Sequence, residues 1–462
     1  MNIHPNTKDA YRLLHEGSLA FSRAEQIGMR VDIAYCEQKK VVLSKKIAHF
    51  EKRIFNSTFG QHWKHSTGGK VNLNSNAQLG RFLYQIKKLE PVKFTESGAP
   101  GTDEEALEAL RIPELDLLIE MRKLQKIRDT YLDAFVREQV DGVVHPFFNL
   151  HLVRTYRSSS DSPNFQNIPK RDKQAMKLCR EALFPREGHQ FLSMDYSGIE
   201  VRMACIYTED AKLIQDTLHG DMHRDMAIEL YMLEDLDKRH SGEATFRQGG
   251  KNGFVFPQFY GDYWGGCAPN LIRWAQRAYL RDGTPGLVHL KDKGLIKLNR
   301  AGAPTNIDKF IEHVRGVEDL FWNVRYKTYA QWKEREWKQY QKKGYIDMLT
   351  GFRCSGEMSK KEATNYSFQG SAFHCLLWAF IESDRQMQEK QMDSRLVSQV
   401  HDESTADINP AEKDDMIDLM VKVSCHDIRD AWGWITVPLE VEAEIADVDR
   451  SWGERYFFPL SS

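Results

Sequence analysis

The sequence lacks any run of about 18 apolar residues, so it offers no ordinary membrane-spanning helix. Its start, Met1-Asn2-Ile3-His4-Pro5, lacks the basic-then-apolar pattern of a secretory signal. Together these predict a protein that stays where it is made, in a cytoplasm. Excess charge is also missing: 64 Lys+Arg against 66 Asp+Glu leave a net charge of -2. A globally basic nucleic-acid coat is excluded. A local basic channel is not, because a balance says nothing about distribution. The seven cysteines (36, 179, 205, 267, 354, 375 and 425) are odd in number, scattered and free of any C-x-x-C pair. That pattern predicts reduced thiols, not a disulfide scaffold or structural zinc. Common catalytic signatures are absent too. Gly68-Gly69-Lys70 is followed by Val71, and Lys64 stands where a P-loop needs glycine. No G-x-S-x-G, H-E-x-x-H or protein-kinase signature occurs.

What is present is ordinary globular material: 41% hydrophobic and 28% charged residues over a length that suggests several domains. Residues 8–55 read as helical, with a break at Gly28 before Val31-Asp32. Residues 55–102 read as loops around one short helix, 76–88. Pro113 suits the first turn of a further helix, whose Leu117, Met121, Leu124, Tyr131 and Phe135 form one apolar stripe. Its other face carries Arg122, Lys123, Lys126 and Arg128, either a solvated face or one that tracks phosphates. Strands are expected over 143–205 and helices over 206–262. A small hairpin insertion is expected at 283–305, around Leu287-Val288-His289-Leu290. Helix returns over 306–343, with Trp322, Tyr326 and Tyr329 read as core. A β-turn-β unit at 344–354, a helix at 357–390, strands and one more helix complete the chain.

Four constellations could carry chemistry. Asp195 follows the apolar run Phe191-Leu192-Ser193-Met194. An acid at the end of a buried strand is costly unless paired or bound to a cation, although it could also cap the helix that begins near Ile199. Asp402 sits with His401 and Glu403 at a polar tip between apolar flanks, as in a tight hairpin, where an aspartate can also serve the turn itself. Arg247 and Lys251 share a helix face ahead of Phe256, Phe259, Tyr260 and Gly261. They could hold a triphosphate or form an exposed basic helix. The segment Thr155–Pro169, with Arg157, Asn164, Gln166 and Asn167, is rich in groups that could face a nucleic-acid minor groove.

In this order, these segments resemble family A DNA polymerases, the polymerase I-like enzymes. Asp195-Tyr196-Ser197-Gly198-Ile199-Glu200-Val201-Arg202 looks like the first family motif. Arg247-x3-Lys251 followed by Tyr260-Gly261 is similar to the second, and Gln399-Val400-His401-Asp402-Glu403 to the third. The loop ending Asn164-Phe165-Gln166-Asn167-Ile168-Pro169 resembles the primer-template loop. Asp221-Met222-His223-Arg224 and Gln369-Gly370-Ser371-Ala372 match in place. Upstream, Asn72-Leu73-Asn74-Ser75, Gln78-Leu79 and Gly98–Glu105 look like the thumb.

The resemblance implies a helix-rich α+β right hand with an antiparallel-sheet palm. The thumb would be 1–145 and the palm 146–205 plus 370–462. Helical fingers would span 206–369, with the insertion at 283–305. It implies addition of deoxynucleoside triphosphates to a primer 3′ end, in replication or repair, by two Mg²⁺ ions about 3.5–4 Å apart. Asp195 and Asp402, with the Tyr196 carbonyl, would be the ligands. Arg247, Lys251 and His223 would meet the triphosphate, with Lys251 protonating the leaving pyrophosphate. Phe256, Tyr260 and Glu200 would meet the sugar, Glu200 excluding a ribose 2′-hydroxyl. Arg157, Gln166, Asn167, Gln369, His401 and Glu403 would face primer-template DNA. A monomer is expected, in a bacterial or phage-host cytoplasm. No 3′–5′ proofreading is expected from these residues, and a separate exonuclease or replisome subunits are left open as partners.

Three departures from the family pattern stand out. Lys251 to Tyr260 is one residue longer than usual and contains Pro257, which predicts a bulge or kink between Lys251 and Phe256. Counting back from Tyr260 selects Phe256 as the sugar-facing aromatic; counting forward from Lys251 selects Val255, and Phe256 is the preferred reading. Tyr156 replaces the usual glycine before the loop arginine, and Lys361 stands where arginine is common. The rival readings are a single-subunit RNA polymerase, which Glu200 opposes, and a non-catalytic nucleic-acid-binding relic, which the retained Asp195 and Asp402 oppose.

Overall fold

A computed structural model describes residues 7–460 except 92, 96–97 and 169–171. Pro169 of the loop and the Met1–Pro5 start therefore lie outside the described residues. A five-stranded antiparallel sheet organises the chain. Its strands are β1 (Gln190–Tyr196), β2 (Arg395–Val400), β3 (Glu403–Ile408), β4 (Val441–Ile445) and β5 (Tyr456–Phe458), in the order β2-β3-β1-β4-β5. β1 is buried along Gln190–Met194 and emerges only at Asp195. The run of apolar side chains suits a central strand covered on both faces.

Helices surround this sheet. They include α1 (Thr7–Ile27), α2 (Ile33–Asn56), α3 (Pro113–Lys126), α4 (Ile199–Thr208), α5 (Met222–Tyr231), α6 (Ser241–Gly250), α7 (Trp264–Arg277), α8 (Asp308–Leu320), α9 (Lys327–Lys343) and α10 (Lys360–Glu389). α10 is buried along much of its length and packs on α1, α4 and the sheet. A capping box of Ser359 and Glu362 starts it. No helix among the described residues is long and apolar enough to cross a membrane. All seven cysteines are free.

Several expectations hold. α1 and α2 flank the break at Gly28, whose φ of +66° suits glycine. Strands Tyr345–Asp347 and Arg353–Ser355 form the expected hairpin. Tyr326 and Tyr329 are fully buried. The strands expected over 143–205 need one correction: Asp172 caps a helix there, Lys173–Arg180.

Other expectations need correction. Thr58–Ser66 is a helix, not a loop. Ser57 caps it by accepting the Gly60 N–H at 3.1 Å. Gly60 is required there, because a Cβ would stand 1.9 Å from the Ile54 carbonyl oxygen. Trp63 is fully buried and stacks on Phe82. Leu287 to Leu290 is also helical, within Gly286–Asp292, with Leu287 and Leu290 buried one turn apart. The hairpin lies just after it, pairing Lys297–Leu298 with Pro304–Asn306. The stripe that begins on α3 changes phase at a π-turn, Ile127–Leu132. Tyr131 and Phe135 are buried, but Leu117 and Leu124 are only half-buried. On the basic face, Arg122 donates to the Leu73 carbonyl, Lys123 pairs with Glu104, and Arg128 pairs with Asp129. Those cations serve the fold.

A buried ion pair braces the sheet from the residue just before its last strand. Arg455 Nη1 lies 2.7 Å from Glu403 Oε1, with both side chains almost fully covered. Arg455 and Arg180 lie over the Trp452 ring at 5.1 and 4.1 Å. Removing one member of such a pair leaves a buried charge without its counter-ion. Arg455→Ala should therefore lower unfolding free energy by about 3–5 kcal/mol in denaturant titration. A loss below 1 kcal/mol would show that the pair is not structural.

Candidate active site

The two aspartates meet at one end of the sheet. Asp195 faces Glu403 on β3 and Glu442 on β4. One residue further along, the Tyr196 N–H donates to the Asp402 carbonyl at 3.1 Å. Asp402 thus sits in the β2–β3 turn beside the residue that follows Asp195. Asp195 does not cap α4; that position belongs to Gly198, at φ +60°. The turn holds two residues between Val400 and Glu403. His401 takes a φ of +58° there, the left-handed conformation that a two-residue hairpin asks for at its first position.

The loop with Arg157 is tied to this turn. Gln166 Nε2 donates to Ser158 Oγ at 2.6 Å and to Gln399 Oε1 at 2.9 Å. Gln399 Nε2 in turn donates to the His401 carbonyl. The Gln166 amide thus links the loop to the hairpin. Tyr156 does adopt a glycine-like φ of +57°. Its hydroxyl donates to the Arg353 carbonyl at 3.0 Å and its ring packs on Phe352 at 4.8 Å. These contacts offset a backbone strain of order 1–3 kcal/mol. Asn167 is exposed, with its carbonyl bonded by the Tyr131 hydroxyl.

A second wall comes from the helices. Arg157 Nη1 lies 3.1 Å from Glu200 Oε1, and the Tyr260 hydroxyl donates to Glu200 Oε2. Burial and the Glu200 carboxylate push the Tyr260 phenol well up. The chain between Lys251 and Tyr260 accommodates its extra residue in a π-turn, Lys251–Val255, the form that a one-residue insertion takes inside a helix. This is the kink expected between Lys251 and Phe256. It turns Val255 into the core, fully buried, and leaves Phe256 lining a small cleft with Glu200, Tyr260, Asn365 and Gln369. Phe256 stacks on Tyr260 at 6.1 Å, and Lys251 Nζ lies 5.4 Å from its centroid.

Charge is concentrated beside this cleft. Arg247 Nε contacts both Asp221 oxygens, at 3.0 and 2.8 Å. Burial alone would raise the Asp221 carboxyl, but the Arg247 bond holds it below its ordinary value. Burial, then Arg247, lowers the Lys251 ammonium. Burial, then Lys251 and Arg247, pushes the His223 imidazole down to about 4. Arg247, Lys251 and His223 therefore lie together on one wall, with Arg247 paired to Asp221 and His223 uncharged at neutral pH.

One sequence expectation is modified. Glu403 is only 5% exposed and paired with Arg455, so it supports the turn from beneath instead of reaching a primer. Arg455 itself was missed. A lone arginine near the end of the chain gives no pattern that reveals its depth.

An antiparallel sheet with acids at one turn, walled by cationic helices, defines the right-hand polymerase fold. The chain belongs to DNA polymerase family A, whose sequence profile matches residues 33–268 and 289–454. It is 26% identical over 460 residues to DNA polymerase I of Pseudomonas aeruginosa, covering 94% of this chain and 43% of that protein. It is 29% identical over 391 residues to DNA polymerase I of Lactococcus lactis subsp. cremoris, covering 81% and 39%. The chain spans less than half the length of these curated relatives. Its fold matches the POL domain of Pol1 from M. smegmatis, a complex with DNA primer-template and dNTP. The TM-score is 0.73 at 22% identity, over 96% of this chain and 70% of that one.

The cationic wall has a measurable signature. His223 binds its proton near pH 4 when folded, against 6.5 for an ordinary histidine. The unfolded chain holds more protons between those values, so stability falls as pH drops through that window. In histidine NMR titration the free protein should show His223 titrating near 4. A nucleoside triphosphate, by offsetting Lys251 and Arg247, should move it upward. A free-protein value near 6.5 would overturn the buried, cation-flanked placement.

Proposed function

We propose that this chain is a template-directed DNA polymerase that adds deoxynucleoside triphosphates to a primer 3′ end, in replication or repair. The observation that carries this reading is the contact of the Tyr196 N–H with the Asp402 carbonyl. It sets Asp195 and Asp402 at one sheet end in a family A chain. The reading assigns polymerisation, not 3′–5′ excision, to these residues. It divides the chain into thumb (1–145), palm (146–205 and 370–462) and fingers (206–369), working as a monomer.

The donor set at the turn is hard carboxylate oxygen, which suits Mg²⁺ held partly by protein and partly by substrate phosphates. Asp195 and Asp402 would hold two ions, with the Tyr196 carbonyl as a further ligand. When bound, such a pair lowers the pKa of the primer hydroxyl and neutralises the triphosphate. Arg247 and Lys251 bind the triphosphate, and His223 adds a contact. Lys251 Nζ, its proton loosened by burial, donates to the leaving pyrophosphate. Phe256 and Tyr260 pack against the sugar. Glu200, fixed between Arg157 and Tyr260, occupies the space a 2′-hydroxyl would need, which favours DNA precursors over RNA precursors. Arg157, Asn167 and Gln369 face the minor groove, Gln166 holds their loop, and His401 stands at the primer end.

Primer extension tests the reading. Asp402→Ala should reduce extension by at least about 10³-fold while primer-template binding stays within a few fold. Extension at the parent rate would defeat the metal assignment. Separately, Glu200→Ala should raise ribonucleotide incorporation at least about tenfold, read by single-nucleotide extension with each triphosphate set. Unchanged discrimination would remove Glu200 from that role.

A further inference from the structure

The family profile matches the chain on either side of residues 269–288 but not within them. That stretch holds most of α7 and the turn into the helix Gly286–Asp292. It is docked firmly on α6. Arg281 Nε lies 2.8 Å from Oε1 of the buried Glu243. Ser241 Oγ and the Tyr279 hydroxyl are 2.6 Å apart. A Cβ on Gly286 would stand 2.4 Å from the Ala275 carbonyl oxygen, so the helix after the turn lies directly against α7.

From this stretch one side chain reaches the first third of the chain. Arg273 Nη2 pairs with Glu105 Oε1. Lys93 Nζ holds the other Glu105 oxygen and Asp103, each at 2.8 Å. Glu105 lies in the helix Glu104–Ala109, which packs on α3. A cleft of about 370 Å³ continues beside the pair, with Glu108 and Arg111 on one side and Ile272, Arg277 and residues 304–307 on the other.

The two sides of this contact have separate cores. Residues 47–124 build one cluster around Trp63, Phe82, Leu107 and Met121. Phe246 of α6 and Leu271 of α7 belong to another, together with Leu192 and Met194 of the sheet. Units with separate cores move relative to one another by default. The first unit is tied to the sheet at its far end, where Met29–Val31 pairs with Val143–Val144 and Leu183–Phe184. From that pairing, the 24 residues of α2 lead to the 47–124 cluster over about 36 Å. With Arg273 on Glu105, the chain closes a circuit from the sheet through α2 and α7, and back by way of Tyr260 and Glu200.

We propose that the Arg273–Glu105 contact is a latch that closes the cleft over bound primer-template DNA and slows its release. The proposal rests on the polymerase reading above. It gives the stretch missing from the family profile a function of its own, retention of the duplex. An exposed ion pair is weak, so the latch opens to admit DNA. Once shut, it spans the open side of the cleft, opposite the sheet.

The test measures loading of labelled primer-template and its release into excess unlabelled DNA. Arg273→Glu should speed release about fivefold, the factor for losing one exposed ion pair. Glu105→Arg adds positive charge, so simple attraction to DNA would slow release. The latch predicts faster release there too, by a similar factor. The double variant E105R/R273E has the parent's net charge and should return release to within about twofold of the parent. Unchanged release in Arg273→Glu overturns the proposal. So does slower or unchanged release in Glu105→Arg, or no recovery in the double variant. Faster loading with unchanged release would make the contact a barrier to entry, and also overturns it. Should a reversal lower the melting temperature, Arg273→Gln and Glu105→Gln carry the test, and unchanged release in both overturns it. Single-turnover extension by the parent tests the polymerase reading separately. No extension defeats that reading, whereas normal extension with release independent of the pair defeats only the latch.

Discussion

The pairing of β1 with β3 is the constraint on which the rest depends. Its register sets Asp195 opposite Glu403 and brings Tyr196 to the Asp402 carbonyl. A slip of one residue would turn the strand's side chains to the opposite faces and lose the alignment of Asp195 with Glu403 and of Tyr196 with Asp402. Register is protected by the apolar run behind the acid and by Ser193 bonded to Thr405 at 2.9 Å. Arg455, just before the edge strand β5, adds a brace through Glu403. Stability and chemistry therefore share one set of backbone bonds. A buried counter-ion thus holds Glu403, the residue next to Asp402.

The second wall shows how a helix can absorb a change in length without losing its site. An extra residue in a regular helix would rotate everything beyond it by about 100°. The π-turn at Lys251–Val255 takes up that rotation locally. Tyr260 still reaches Glu200, while Lys251 stays beside Arg247 and His223. Pro257 is tolerated because it falls in the first turn of the short helix after the π-turn, where no intrahelical donor is required.

These particulars explain what was legible in the sequence. The apolar run before Asp195, the polar tip at Asp402 and the unusual spacing from Lys251 to Tyr260 are local patterns, and each corresponds to a local structure. The helix Thr58–Ser66 was not legible, because its glycine, histidines and hydroxyl residues resemble a loop. What makes it a helix is the Ser57 cap and Trp63 packing on Phe82, a residue from a different helical segment. Leu287–Leu290 is too short for periodicity to separate strand from helix. Arg455 was invisible for a different reason. Its role is defined by partners contributed by distant strands, and no spacing encodes it.

Tyr156 joins the local and the distant. A glycine at this position would adopt φ +57° freely, yet would leave Phe352 and the Arg353 carbonyl without their contacts. The tyrosine accepts strain and in return couples the Arg157 loop to the Tyr345–Ser355 hairpin just before α10. Arg157 reaches Glu200, Glu200 reaches Tyr260, and α10 carries Gln369. The tyrosine therefore ties down the loop that carries Arg157, the partner of Glu200. The departures at Tyr156 and at the π-turn act on opposite ends of the same Arg157–Glu200–Tyr260 chain. Each changes how an end is held, and neither breaks the chain itself.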